Sequence, residues 1–349
     1  MEGVKKWLAI SLMISLLAII AIQIFTDTNL EETIEGLRRI RPEFLLIAVG
    51  IRVLTWFLWG TRIKVMSNVV GTKLSFLHSL KIVLCGTFAA GVTPSYVGGT
   101  PVRIYLLNKE GISIGDAALV DLVGRSLDGI IIGLVFPFAW FAFRDEIAPN
   151  VVLSSTFAFL GISFSVGFIL GAYGLMYPEK VKKLLERLST SKIVRKITLD
   201  KSEGIITRIN LEIDNFRDGL FRFIKEEKKS LLVVIFCSVA FWLLLFIMPS
   251  FVLLGLDLDP IWIPSILVQV ILMIAVMLPI APGGSGIAEI GAASLYSTVL
   301  PESDLPIIAV FILIWRFAMY YINLIVGGIV GLKVLQKIDL GSLDLNSKK

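Results

Sequence analysis

Two short runs hold the residues that could do chemistry. Pro94 to Arg103 reads PSYVGGTPVR, and Pro279 to Ala288 reads PIAPGGSGIA, followed at once by Glu289. In register they share a proline, then a Gly-Gly pair, then a hydroxyl: Pro94 with Pro279, Gly98 with Gly283, Gly99 with Gly284, Thr100 with Ser285. Pro282 adds a second proline to the later run. Proline removes a backbone donor and clashes with the preceding turn, so each run should break a helix. A Gly-Gly pair lets the chain reverse tightly. A helix restarting beyond it could use Thr100 or Ser285 as N-cap. The free N–H groups and positive dipole end of such a restart suit an anion, phosphate in particular. Arg103, Arg125 in VGRSLDGIIIG and Arg316 in IWRFAMYYINL could add charge-assisted hydrogen bonds to it. Asp128 and Glu289 could act as counter-charges, as proton carriers or as contacts to a cationic group.

Each residue also has a plainer use. Glycine-rich turns permit tight helix packing. Arg103 could sit at an interface and snorkel. Arg125 and Asp128, three apart, could neutralise one another, and Asp116 and Asp121 are expected to flank the cytoplasmic end of their span. Glu289 and Arg316 are hardest to read this way, because intramembrane charges are costly and functional by default. Other chemistries are excluded or disfavoured. His78 is the only histidine and Cys85 and Cys237 the only cysteines, so no His/Cys metal centre and no His-based triad can form. No Gly-Lys-Ser/Thr follows the glycines, which rules out a nucleotide phosphate loop. No cofactor and no nucleic-acid partner is expected.

The elements that position these residues follow from composition. The chain has 349 residues, 56% hydrophobic and 17% charged, with a mean hydropathy of +0.85. Soluble domains run nearer a quarter charged, and about 20 helical residues span a bilayer core. Full spans are predicted near 7–25, 44–60, 118–143, 151–176, 231–254 and 306–332, while 76–107 and 261–300 are apolar but interrupted. The expected fold is an all-α polytopic integral membrane protein, a single membrane domain over 1–349. It has about six full transmembrane helices plus two re-entrant broken-helix hairpins. Because full spans alternate sides, the hairpins should enter from opposite faces, giving an inverted repeat over about 76–143 and 261–332. That is a transporter plan, with the site where the broken helices meet.

Charge sets the expected orientation. Lys5, Lys6, Arg62, Lys64, Lys333, Lys337, Lys348 and Lys349 place both termini in the cytoplasm, while 144–150 and 301–304 fit the outside. The basic run at the start resembles a signal peptide, but its long apolar segment reads as a retained signal-anchor. The polar insert 178–230 holds 14 Lys and Arg against 9 Asp and Glu, a surplus equal to the chain's formal charge of +5. Ile205, Ile209, Ile213, Phe216, Leu220 and Phe223 recur at helical spacing. This amphipathic, basic helix could pack on its own membrane domain or lie on an anionic leaflet.

GGTPVRIYLL at 98–107, GRSLD at 124–128 and PIAPGGSGIAE at 279–289 resemble the flippase-like membrane family typified by the N-terminal membrane domain of lysylphosphatidylglycerol synthases. The resemblance covers nearly the whole chain. It implies a lipid-translocating fold in the plasma membrane. Family members commonly carry Glu where this chain has Thr100 and Gly124, and losing both acids favours an anionic, phosphate-bearing head group. The aminoacyl-transfer activity is not expected, since fewer than about 20 residues follow the last span. The expectation is therefore a non-enzymatic flippase whose partners are membrane lipids. An intramembrane lipid-phosphate enzyme, or a non-transporting partner of a lipid-modifying glycosyltransferase, stands as the alternative.

Overall fold

The computed structural model describes residues 2–25, 30–144, 202–276 and 281–336, with isolated positions between 155 and 180. The expected span 151–176, the insert up to 201, Pro279 and the basic residues beyond 336 therefore lie largely or wholly outside the described residues. Every described regular element is helical. In chain order these are α1 (Glu2–Phe25), α2 (Leu30–Arg39), α3 (Pro42–Val69), α4 (Phe76–Gly91), α5 (Gly99–Lys109), α6 (Ile114–Ala142) and α7 (Ser202–Lys225). Then come α8 (Lys228–Gly255), α9 (Trp262–Ala275), α10 (Ile287–Tyr296), a 3₁₀ turn (Glu302–Ile307), α11 (Ile308–Arg316), a π segment (Phe317–Tyr321) and α12 (Ile322–Gln336).

Among the described residues three stretches are long and apolar enough to cross a bilayer: α3, α8 and the composite helix Glu302–Gly331. They cover the spans expected over 44–60, 231–254 and 306–332. The span expected over 118–143 falls in α6, a 29-residue helix whose first half carries Asp116, Asp121, Arg125 and Asp128. Local chemistry sets the helix starts. Pro42 occupies the first turn of α3, where its missing N–H is no loss. Ser75 Oγ accepts from His78 N at 3.2 Å to cap α4, and Ser113 Oγ accepts from Asp116 N at 3.1 Å to cap α6.

Both interrupted regions break where Pro and Gly predict. The chain leaves α4 at Gly91 and restarts at Gly99; it leaves α9 at Ala275 and restarts at Ile287. Each half folds back on the other. Gly99 lies against Gly86 and Ala90 of α4, while Gly284 and Gly291 lie against Val276 and Leu272 of the α9 arm. α3 and α12 flank the first hairpin, and α6 touches both, packing on α5 and on α9. The amphipathic helix α7 packs on α6, with Phe223 buried and Gly219 over Leu119, so the apolar side of its last turns is covered by its own domain.

Close approach of α12 to α4 depends on Gly327. A Cβ there would meet the Leu84 carbonyl oxygen at 2.6 Å and Phe88 Cβ at 3.0 Å, whereas a Cβ at Gly50 of α3 would meet nothing within 4 Å. Small residues at such crossings let helix backbones approach. Gly327→Ala is expected to destabilise the protein by about 1–3 kcal/mol, and Gly50→Ala to be neutral or stabilising. Thermal unfolding of both variants in neutral detergent checks this; equal midpoints would contradict the packing described.

Candidate functional site

The two hairpin tips meet each other. Pro94 and Pro282 form an isolated antiparallel bridge, and Gly283 N donates to Thr93 O at 3.3 Å. After each bridged proline the next two residues take left-handed backbone: Ser95 and Tyr96 with φ of 52° and 56°, Gly283 and Gly284 with φ of 58° and 63°. The tips therefore share one conformation, with Pro94 equivalent to Pro282 and not to Pro279, three residues from the register that the sequence match suggested. Glycine takes this conformation freely. Ser95 and Tyr96 do not, and such strain concentrates at functional sites. Two tyrosines lock the junction in reciprocal fashion. Tyr96 Oη donates to Gly283 O at 2.7 Å, and Tyr320 Oη, from the π segment, donates to Gly91 O at 2.9 Å.

Behind each tip stands a buried ion pair, and the two are alike except that the signs are exchanged. In the first hairpin α5 supplies the cation: Arg103 forks onto Asp121 of α6, through Nε to Oδ1 and through Nη2 to Oδ2 at 3.1 Å. In the second, α10 supplies the anion: Glu289 Oε1 accepts from Arg316 Nε at 2.9 Å. The same arginines reach back to the restarting helix, Arg103 Nη2 to Thr100 Oγ1 at 3.2 Å and Arg316 Nη2 to Ser285 Oγ at 3.4 Å. Each guanidinium also lies over an aromatic ring, Arg103 over Trp59 at 4.8 Å and Arg316 over Tyr320 at 4.3 Å. A third pair sits lower on α6: Arg62 of α3 forks onto both Asp128 oxygens at 2.9 and 3.1 Å, and Trp242 Nε1 donates to Asp128 Oδ1 at 3.0 Å.

These partners revise several expectations. Thr100 and Ser285 are not the caps; α5 and α10 start after Gly98 and Gly286. Neither restart is a bare N-terminus. Thr93 Oγ1 accepts from Gly98 N at 2.9 Å, and Glu289 Oε2 accepts from Gly286 N at 2.7 Å, so the second restart already holds an internal carboxylate. Arg103 does not snorkel, being 0% exposed. The Asp121 side chain is wholly buried between Arg103 and Arg125, the latter at 3.5 Å and 40% exposed. Arg125 and Asp128 do not neutralise one another, because Asp128 faces Arg62. Gly99 serves close packing rather than reversal. Among the described residues no group of three His, Cys, Asp or Glu gathers to hold a metal ion.

Some residues of the junction escaped the sequence reading. Arg52 and Trp56 of α3 both donate to Asn323 Oδ1, at 2.9 and 2.8 Å, and Asn323 Nδ2 donates to Met319 O at 2.6 Å. The signals were an arginine inside the apolar run 44–60 and an asparagine in YYINLI.

The comparisons with known proteins return membrane proteins. Residues 8–327 match the family described as Lysylphosphatidylglycerol synthase TM region. The chain belongs to this family. It is similar to a UPF0104 membrane protein of Archaeoglobus fulgidus, 30% identical over 91% of this chain and 95% of the relative. UPF0104 membrane proteins of Pyrococcus horikoshii (24% identical, 94% and 97% covered) and Methanocaldococcus jannaschii (26% identical, 95% and 96% covered) are similar over the same extent. No solved structure matches. At Gly124 the Arg62 guanidinium fills the space a side chain would need.

Removing one partner of a buried pair leaves an uncompensated charge, which costs about 3–5 kcal/mol, whereas replacing both by apolar groups is often neutral. Asp121→Leu alone is expected to destabilise severely, and Arg103→Met with Asp121→Leu to recover most of the loss. Unfolding midpoints of the single and double variants in neutral detergent measure the coupling. Additive effects would show that the pair does not act as a unit.

Proposed function

We propose that this membrane protein is a lipid flippase-like transporter that moves a lipid with a phosphate-bearing head group between leaflets through the junction of the two hairpin tips. The observation that carries the reading is the tip-to-tip contact of two broken helices, Pro94 on Pro282, with polar side chains gathered around it. Non-helical backbone at membrane depth is tolerated where it is buried in protein or lines a polar cavity. In transporters built from inverted repeats that place is the substrate site. The family's descriptive name, which belongs to a phospholipid-modifying synthase, supports a lipid as cargo.

In this reading the two hairpins are re-entrant and enter from opposite faces of the plasma membrane, with both termini cytoplasmic. The Arg103–Asp121 and Arg316–Glu289 pairs brace the hairpins against the following spans. The reciprocal tyrosine bonds hold the passage shut, and rocking one repeat against the other opens it to each leaflet in turn. No bond in the lipid is made or broken.

Reconstitution tests this directly. Proteoliposomes containing a fluorescent phosphatidylglycerol are expected to expose it to an external quencher faster than protein-free vesicles, with the recovered lipid chemically unchanged. Glu289→Gln and Arg316→Ala should each slow the exchange at least about tenfold, the effect of about 1.4 kcal/mol on a barrier. Chemically altered lipid would point to an enzyme instead. Wild-type rates in both variants would remove these residues from the transport path.

A further inference from the structure

The interior charges do not balance at one place. Arg103, Arg316 and Arg62 each face a carboxylate. Arg52 does not: among the described residues no Asp or Glu oxygen lies within 4 Å of it, although it is only 7% exposed. It stands ten residues into α3, about 15 Å along the helix, at the centre of the span expected over 44–60. A lone guanidinium at that depth is costly and is retained where it meets something.

Its surroundings are arranged to present it. The Nε edge is taken by Asn323 Oδ1, which also accepts from Trp56 Nε1, and the Asn323 amide is fixed in turn by Met319 O. That leaves the two terminal nitrogens without a hydrogen-bond partner among the described residues, side by side in the fork geometry that matches a phosphate. The tip junction is close by: Arg52 and Arg316 both lie within electrostatic reach of Tyr96, the residue that bonds the opposite tip. Arg316 already has Glu289; Arg52 is the cation held in reserve.

We propose that Arg52 is the anion anchor of the tip junction, binding the phosphate of a lipid head group through its terminal nitrogens while Asn323 and Trp56 hold it in place. This rests on the transport reading for the identity of the lipid, but the anion site stands on the geometry alone. A charge kept for a ligand destabilises the empty protein and is repaid only on binding, and that gives it a signature opposite to that of a structural arginine.

Thermal unfolding in a neutral maltoside detergent reads this out, with dihexanoyl phosphatidylglycerol, dihexanoyl phosphatidylcholine or inorganic phosphate added. Wild-type protein is expected to gain a higher midpoint with phosphatidylglycerol, since a ligand that binds only the folded state stabilises it. Arg52→Met should unfold at a higher temperature than wild type without ligand and need at least about tenfold more phosphatidylglycerol for the same gain, the loss of one charged hydrogen-bonded contact. Asn323→Asp offers a second route, because it supplies the missing carboxylate in place; it should keep or raise the empty protein's midpoint and weaken binding similarly. Equal protection by inorganic phosphate would keep the anion site but overturn the lipid as its source. Equal protection by phosphatidylcholine would still require a phosphate, and only loss in both variants would support the site. Arg52→Met that unfolds earlier than wild type yet keeps full protection overturns the proposal. If both variants keep full protection while wild-type vesicles exchange lipid, the anchor fails and transport stands; loss of protection in both with no wild-type exchange has the reverse meaning.

Discussion

Backbone that leaves a helix loses its intrahelical hydrogen-bond partners, and when buried it must find others. Many of the freed groups at 92–98 and 281–286 are bonded to each other and to nearby side chains. Gly283 N meets Thr93 O, Tyr96 meets Gly283 O, Tyr320 meets Gly91 O, and Thr93 and Glu289 take the N–H groups at the two restarts. The flanking helices α3, α6 and α12 close the junction from the sides, and the glycines of α4 and α12 are what let them come near enough.

Charge is distributed to the same end. Each hairpin's second arm is tied to the next span by an arginine–carboxylate pair that also reaches the hydroxyl near the restart. The exchange of sign between the pairs means that neither arm carries the same charge as its counterpart. A guanidinium over an aromatic ring on both sides supplies a further attraction that needs no hydrogen-bond donor or acceptor. Among the described buried arginines, Arg52 is the one with no carboxylate within ion-pair distance.

Much of this was legible in order and little of it in detail. Hydropathy located the spans 44–60, 231–254 and 306–332, and Pro with Gly located both breaks, because each signal is local. The family came from short motifs for the same reason. Partner choice was not local. Arg62 and Asp128 are 66 residues apart and Arg52 and Asn323 are 271 apart, so nothing in either neighbourhood points to the other. Asp121 looked like an interface residue because it lies early in its helix, yet the hairpin arm α5 covers it. The shift of the tips by three residues was hidden by Ser95 and Tyr96, whose residue types give no hint of left-handed backbone.

That shift bears on how the internal repeat came to look as it does. Gly98 and Gly99 have no left-handed turn to make, and Gly99 lies where α5 presses against Gly86 and Ala90. Gly283 and Gly284 form the turn itself. The shared spelling of the two runs thus records two separate demands on a residue without a side chain, met at positions that do not correspond in space. Descent from a duplicated ancestor, if it is to be traced in this fold, has to be sought by superposing backbones, because aligning the letters pairs the wrong residues.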